Sequence, residues 1–389
     1  MLKASLLETS CFRLRSSSQI SKNNNIFVEP NINLLSSNYK FLIIRFSSIG
    51  DVILTTPLIR CLREKYPTAQ IDFLVKKEFA VVLSNNAHLS NIVTFDKKAR
   101  KGELQRMRQV IKQNNYTHIL DIQKNIRSIF ISAGSGAIVS GFSKKLMERD
   151  LLIRFGINVY KEIKPVYLRY FESAKSLAVE YDGRGTEVFP AAAEAEKVKG
   201  ILKLNTINPG TPILVVAPGA QWENKRWPVE GYATAADTFS QQTSAYTILI
   251  GGPGDIEICS QVQSLMKTSA LNLAGKLSLM GSASLLGIAK MVFTNDTGML
   301  HMAQAMKTPV IAVYGPTTRE LGFFPLPENS KVAEIDISCR PCTQKGLHSC
   351  PKKHFRCMND LKPKIVSDLA AELYNNITGN SVPGTLPNV

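Results

Sequence analysis

The chain has 389 residues, 44% of them hydrophobic and 20% charged, with 47 Lys and Arg against 31 Asp and Glu and a net charge of +16. This length exceeds one ordinary core and favours two domains, and the composition excludes a disordered chain. No uncharged apolar run approaches the roughly 18 residues of a membrane helix, and no nucleic-acid module of recognisable spacing is present, so the basic excess points to a nucleotide, a phosphorylated lipid or an anionic membrane face.

The opening "MLKASLLETSCFRLRSSSQ" lacks the apolar core and cleavage site of a secretory signal, so a reducing cytoplasm is expected. Residues 1–38, rich in Ser and Asn and poor in acid, read as a disordered arm or a start placed too far upstream, with an organelle transit peptide as the alternative. Regular pattern begins at "KFLIIRFSSIGDVILTTPLIRCLREKYP": a buried strand at Phe41–Ile44, a turn at "SSIGD", and one helix over Val52–Lys65. Then come "AQIDFLV" as strand, "FAVVLSN" as a short helix, "NIVTF" as strand, a basic helix through Arg100–Gln113, and "THILDIQ" as strand. A soft, small-residue stretch, "GRGTEVFPAAAEAEK", marks a joint near residues 182–192. Beyond it run "TPILVVAPGA" (strand), Gly231–Thr243 (helix), "AYTILIGG" (strand), a helix after Asp255, "LNLAG" (strand), "SASLLGIAK" (helix), "MVFTND" (strand), a helix from Gly298, and "PVIAVYGP" (strand). Strands alternating with helices predict α/β architecture, two parallel-sheet halves over residues 39–185 and 193–375. Ligands of such sheets sit at the carboxyl ends of the strands, and with two halves the cleft between them is the expected site.

Three strand exits carry the chemistry. In "FSSIGDVILTTP", Gly50 permits a tight turn and Asp51 opens a helix, where it reads either as a cap or as a carboxylate able to take a proton from a substrate hydroxyl. In "APGAQWENKRWPVEGY", a glycine-bearing exit that includes Gly219 leads to Lys225, which reads either as a solvated charge or as a cation for diphosphate oxygens. In "TNDTGMLHMAQAM", the backbone N–H groups around Thr297–Leu300 start a helix and suit an anion, Gly298 allows close approach, and His301 is either a packed residue or a ligand contact. The loop "GGPGD" at 251–255 is a further strand exit. The first turn has no G-x-G-x-x-G, which argues against a dinucleotide oxidoreductase.

Taken together and in order, "RFSSIGDVILTTPLIRCLREKYP", "DIQKNIRS", "APGAQWENKRWP", "GGPGD", "NLAGK" and "TNDTGMLHMAQAMKTPVIAVYGPT" resemble the heptosyltransferases of bacterial lipopolysaccharide core synthesis, glycosyltransferase family 9. The resemblance covers most of residues 40–375, and the "NKRWP" and "TNDTGMLH" forms look most like the branch that adds the second heptose. It implies a GT-B fold with two Rossmann-like domains, the first taking the acceptor and the second the nucleotide sugar. By residue it implies Asp51 as general base and Lys225 on the diphosphate. It also implies Asp296, Thr297, Gly298, Met299 and His301 on the nucleotide sugar, and Asp121, Gln123, Asn125 and Arg127 toward the acceptor. The implied reaction is inverting transfer of heptose from ADP-heptose to a heptosyl-Kdo-lipid A acceptor, with no cofactor required. The enzyme would work in the cytoplasm, in peripheral contact with the inner face of the inner membrane. Transfer of another activated sugar, or nucleotide-sugar binding without catalysis, are the alternatives. Lys76, Lys77, Lys97, Lys98, Arg100 and Lys101 are the basic residues expected on the acceptor half. Cys339, Cys342, Cys350 and Cys357, with His348 and His354 between them, have a spacing open to a structural zinc, to packed thiols or to a disulfide.

Overall fold

A computed structural model describes residues 39–96 and 102–379. The arm at 1–38 and the basic residues Lys97, Lys98, Arg100 and Lys101 lie outside the described residues. Strands β1 (Lys40–Ile44), β2 (Gln70–Lys76), β3 (Asn91–Phe95), β4 (His118–Asp121) and β5 (Ile138–Gly141) form one sheet in the order β3-β2-β1-β4-β5. Strands β6 (Ile213–Ala217), β7 (Tyr246–Leu249), β8 (Ala270–Asn272), β9 (Met291–Asn295), β10 (Val310–Val313) and β11 (Ser330–Ala333) form a second, in the order β11-β10-β9-β6-β7-β8. Every pairing is parallel.

The first half carries helices α1 (Ile49–Ile53), α2 (Thr56–Lys65), α3 (Glu103–Gln113), α4 (Ile126–Ser132), α5 (Leu146–Phe155) and α6 (Val166–Tyr170). A helix α7 (Ala192–Leu204) precedes β6. The second half carries α8 (Val229–Thr243), α9 (Ile256–Leu265), α10 (Leu279–Leu286), α11 (Gly298–Ala305), α12 (Arg356–Asn359) and α13 (Pro363–Thr378). Because successive strand residues point to opposite faces, Phe41 and Ile43 join one buried cluster while Leu42 and Ile44 join another. In β6, Val215 and Ala217 enter the same cluster as Phe41, and Leu214 and Val216 face a third. One apolar layer therefore runs continuously between the two sheets.

Two expectations need correction. The single helix over Val52–Lys65 is two helices, α1 and α2, meeting at Leu54 and Thr55. Pro57 near the start of α2 lacks an N–H and crowds the preceding turn, so the chain restarts there. The small-residue joint is not loose throughout either. Ala192–Leu204 is helical and buries Val198 and Leu202, one turn apart on the same face. Its Ala and Glu residues are good helix formers.

The order of each sheet fixes where a ligand belongs. In the first sheet the connections run off to opposite sides at the β1/β4 boundary, and in the second at β6/β9. A crevice opens beyond the carboxyl ends of the strands at such a switch point. All four strand ends face one cleft.

Candidate active site

The cleft encloses about 660 Å³. From the first half come Arg45, Gly50, Asp51 and Gln123; from the second, Lys225, Asp296, Thr297, Gly298 and His301.

Asp51 sits in the first turn of α1, where the backbone N–H and hydroxyl of Ser48 both donate to its Oδ2, at 2.9 and 3.0 Å. Arg45, leaving the end of β1, pairs with Oδ1 at 2.5 Å. That guanidinium also donates to the carbonyls of Ser47 and Ile122, at 3.0 and 2.8 Å, so its position is fixed from three sides. Burial opposes ionisation of Asp51, but the Arg45 charge and the two Ser48 hydrogen bonds outweigh it and hold the carboxyl below its usual value. The Tyr170 hydroxyl lies 3.4 Å from Oδ1, and burial together with that carboxylate keeps it protonated. Asp51 is thus both the helix cap and a carboxylate on the cleft wall.

Across the cleft, Lys225 Nζ donates to the Asp296 carboxylate at 2.5 Å and to the Asp296 carbonyl at 3.1 Å. Thr317 Oγ1 donates to the same carboxylate at 2.8 Å. An ammonium has three N–H groups, so these contacts leave one for a ligand. Asn295, at the end of β9, holds the loop that carries Lys225: its Nδ2 donates to the Pro218 carbonyl at 2.8 Å and its Oδ1 accepts from the Trp227 N–H at 3.1 Å. Thr297 then caps α11, its hydroxyl accepting from the Met299 N–H at 3.3 Å. His301 is buried, and its Nδ1 has no hydrogen-bond partner among the described residues. Burial, helped by the charge of Lys225 and opposed by Asp296 and Asp51, lowers its pKa and keeps the ring neutral. A neutral, nearly buried imidazole with an unmatched nitrogen is suited to a hydrogen bond from a bound molecule.

The halves touch at two glycines. A Cβ on Gly50 would lie 2.5 Å from His301 Cδ2 and 3.5 Å from Gly298 Cα, and one on Gly298 would lie 3.3 Å from Ile49 Cβ. Both positions need the missing side chain for close approach rather than for backbone freedom.

Five candidates do not line the cleft. Asp121 is buried, accepts from the backbone of Gln123 and Lys124 at 3.1 and 2.7 Å and from Ser128 Oγ at 2.8 Å, and so shapes the turn between β4 and α4. Asn125 caps α4, and Arg127 faces a separate depression with Phe95, Glu103 and Phe130. Gly219 lies against Asp255, whose carboxylate would be 2.2 Å from an added Cβ. Met299 packs against the core. Gln123 does reach the cleft, and its Oε1 accepts from the Phe46 N–H at 2.9 Å.

Sequence reasoning missed Arg45, Tyr170 and Thr317. Arg45 stood two residues from "SSIG" and was open to notice as a cation near a strand end; the other two come from distant segments with no motif around them. The cysteine-bearing segment was not expected at the site, yet Gln344 and Lys345 line the cleft. Gly346 presses on the Trp222 ring, and Leu347 exchanges two backbone-anchored hydrogen bonds with Asn224, at 2.7 and 3.2 Å, next to Lys225. Burial pushes the Cys342 and Cys357 thiols up to about 11, with neighbouring cysteines adding to the effect. Cys339 Sγ lies 3.8 Å from His354 Nε2. Among the described residues no three His, Cys, Asp or Glu side chains are grouped to hold a metal ion.

The sequence matches glycosyltransferase family 9 (heptosyltransferase) over residues 104–353. The chain belongs to that family. Lipooligosaccharide heptosyltransferase 2 of Campylobacter jejuni serotype O:2 is 28% identical over 346 residues, 84% of this chain and 96% of the relative. Lipopolysaccharide heptosyltransferase 2 of Escherichia coli K12 is 24% identical over 298 residues, 72% of this chain and 83% of the relative. A glycosyl transferase family 9 structure from Veillonella parvula superposes with a TM-score of 0.72 at 21% identity, covering 87% of this chain and 98% of that one. The E. coli ADP-heptose lipopolysaccharide heptosyltransferase II structure gives 0.66 at 21% identity, covering 87% and 99%. The fold is GT-B, and the protein is a glycosyltransferase. No helix among the described residues is long and apolar enough to cross a membrane.

Proposed function

We propose that this family 9 glycosyltransferase moves heptose from ADP-heptose to the heptosyl-Kdo-lipid A inner core of lipopolysaccharide, with inversion at the anomeric carbon, at the inner face of the inner membrane. One observation carries the reading: a carboxylate, Asp51, and a cationic, N–H-rich strand exit, Lys225 with the start of α11, face each other across a single cleft. The relatives' names, lipooligosaccharide and lipopolysaccharide heptosyltransferase 2, support the sugar and the acceptor class. A GT-B heptosyltransferase of E. coli solved with ADP-2-deoxy-2-fluoro heptose supports the donor.

In this reaction the acceptor hydroxyl oxygen forms a bond to the anomeric carbon from the face opposite the diphosphate. Its proton passes to Asp51, and the bond to the diphosphate oxygen breaks with its electron pair leaving on ADP. Asp51 is a weak base because Arg45 stabilises its charge, so the proton arrives late, as the leaving group departs and the attacking oxygen turns acidic. The remaining Lys225 N–H and the backbone N–H groups at the start of α11 meet the charge growing on the diphosphate. His301 Nδ1 is matched by the bound donor.

The test is ADP release from ADP-heptose, with and without heptosyl-Kdo-lipid A, for the native chain and Asp51→Asn. Acceptor-dependent release that falls by about 10²- to 10⁴-fold in the variant is expected. Absence of release by the native chain, or undiminished release by the variant, overturns the donor–acceptor assignment or the base respectively.

A further inference from the structure

Eleven of the twenty exposed large apolar side chains among the described residues fall between residues 126 and 163. The most exposed of these are Ile126 at 84%, Met147 at 70% and Phe155 at 69%. Monomeric proteins rarely leave apolar side chains so concentrated in water without a use for them. Two ties make a single rim of this stretch. Lys144 Nζ donates to the Lys124 carbonyl at 2.8 Å, and Lys124 Nζ donates to the Phe142 carbonyl at 3.0 Å, so the start of α4 and the start of α5 lie side by side. The inner edge of the rim is the cleft wall itself, through Leu146, Arg149 and Tyr160.

Charge selects the partner. Residues 124–164 hold eight Lys or Arg against three Asp or Glu, and Lys124, Arg127, Arg154 and Lys161 are exposed among the apolar side chains. An apolar surface studded with cations matches an anionic bilayer, where the apolar groups enter the headgroup boundary and each nearby cation adds attraction. A protein partner would be expected to select a drier, less charged centre.

We infer that the 126–163 rim is a membrane-docking surface for anionic phospholipid, seated so that the cleft opens at the bilayer. The inference rests on the lipid-borne acceptor proposed above. Of the basic residues expected on the acceptor half, Lys76 and Lys77 lie at and just beyond the end of β2, outside the 126–163 stretch.

Flotation of the full chain with vesicles tests it without donor or acceptor, so its failure is separate from failure of the heptosyl-transfer reading. Vesicles of phosphatidylglycerol and phosphatidylcholine should carry the native chain about tenfold better than phosphatidylcholine alone, and salt at about 0.5 M should weaken that binding. Ile126→Gln/Met147→Gln/Phe155→Gln should reduce the bound fraction by about tenfold or more, with an unchanged melting temperature and unchanged ADP release on a deacylated acceptor. Should that triple variant misfold, Arg154→Glu/Lys161→Glu should show the same loss on anionic vesicles. Equal flotation of native and correctly folded variants overturns the assignment. So does sedimentation in which the native chain self-associates and the triple variant is monomeric, which would give the rim to a second copy.

Discussion

Asp51 is held between opposing forces. Its burial favours the neutral acid, while Arg45 at 2.5 Å and the Ser48 donors favour the anion, and the anion wins. A group whose folded pKa is depressed stays ionised down to that lowered value, so Asp51 remains a base throughout the neutral and mildly acidic range. Arg45→Gln removes that charge and leaves burial opposed only by the Ser48 donors. The acid limb of kcat/KM should then move upward from its native position; pH–rate profiles of both proteins measure this. A limb that stays in place would mean that Arg45 does not govern the base. Asp51, Lys225 and the 296–301 run were legible in the sequence because each stands beside its own strand exit. Arg45 as a partner of Asp51 was not, since the pairing depends on how β1 splays past the turn. The unmatched His301 nitrogen was equally hidden, because burial of a ring is a property of the assembled cleft.

Among the elements, the segment between the halves shows how a stretch read as soft becomes fixed. Arg60 on α2 is buried and reaches it three ways: to Asp182 at 2.6 Å, to Glu187 at 2.6 Å and to the Gly185 carbonyl at 2.9 Å. Burial alone would raise the Asp182 pKa, but the hydrogen bonds from Arg60 and Arg184 hold it far below the usual carboxylate range. From the other half, Lys307 Nζ donates to the Arg184 and Thr186 carbonyls at 2.7 and 3.2 Å. Arg60→Ala strips one partner from a buried ion pair and should cost about 3–5 kcal/mol, read from urea unfolding. A loss under about 1 kcal/mol would place these contacts with ordinary surface pairs. The alternation of strand and helix was readable from periodicity alone. The edge strands β5 and β11 and the helix α13 were not, because short or amphipathic segments at the margin carry little pattern of their own.

For the whole molecule, two parallel sheets share one apolar layer and turn their switch points toward each other, which is why residues 245 positions apart, Asp51 and Asp296, line one cavity. The narrowest part of that arrangement is where Gly50 meets Gly298. Gly50→Ala drives a methyl into the His301 ring, at 2.5 Å, whereas Gly298→Ala meets Ile49 at 3.3 Å and needs only a small adjustment. The first should lower kcat/KM by about 10²-fold through displacement of groups on both sides, and the second by clearly less; steady-state kinetics on the two variants gives the order, and a reversed order would refute the contact. The contact also has a mechanical meaning. Each glycine leaves room for a side chain of the other half, Gly50 for the His301 ring and Gly298 for Ile49, so the two halves fit together there like a peg in a notch. The clasp around residues 182–187, held by Arg60 from one half and Lys307 from the other, ties the two bodies at a second place. A single methyl added at either glycine is therefore felt on both walls of the cavity at once.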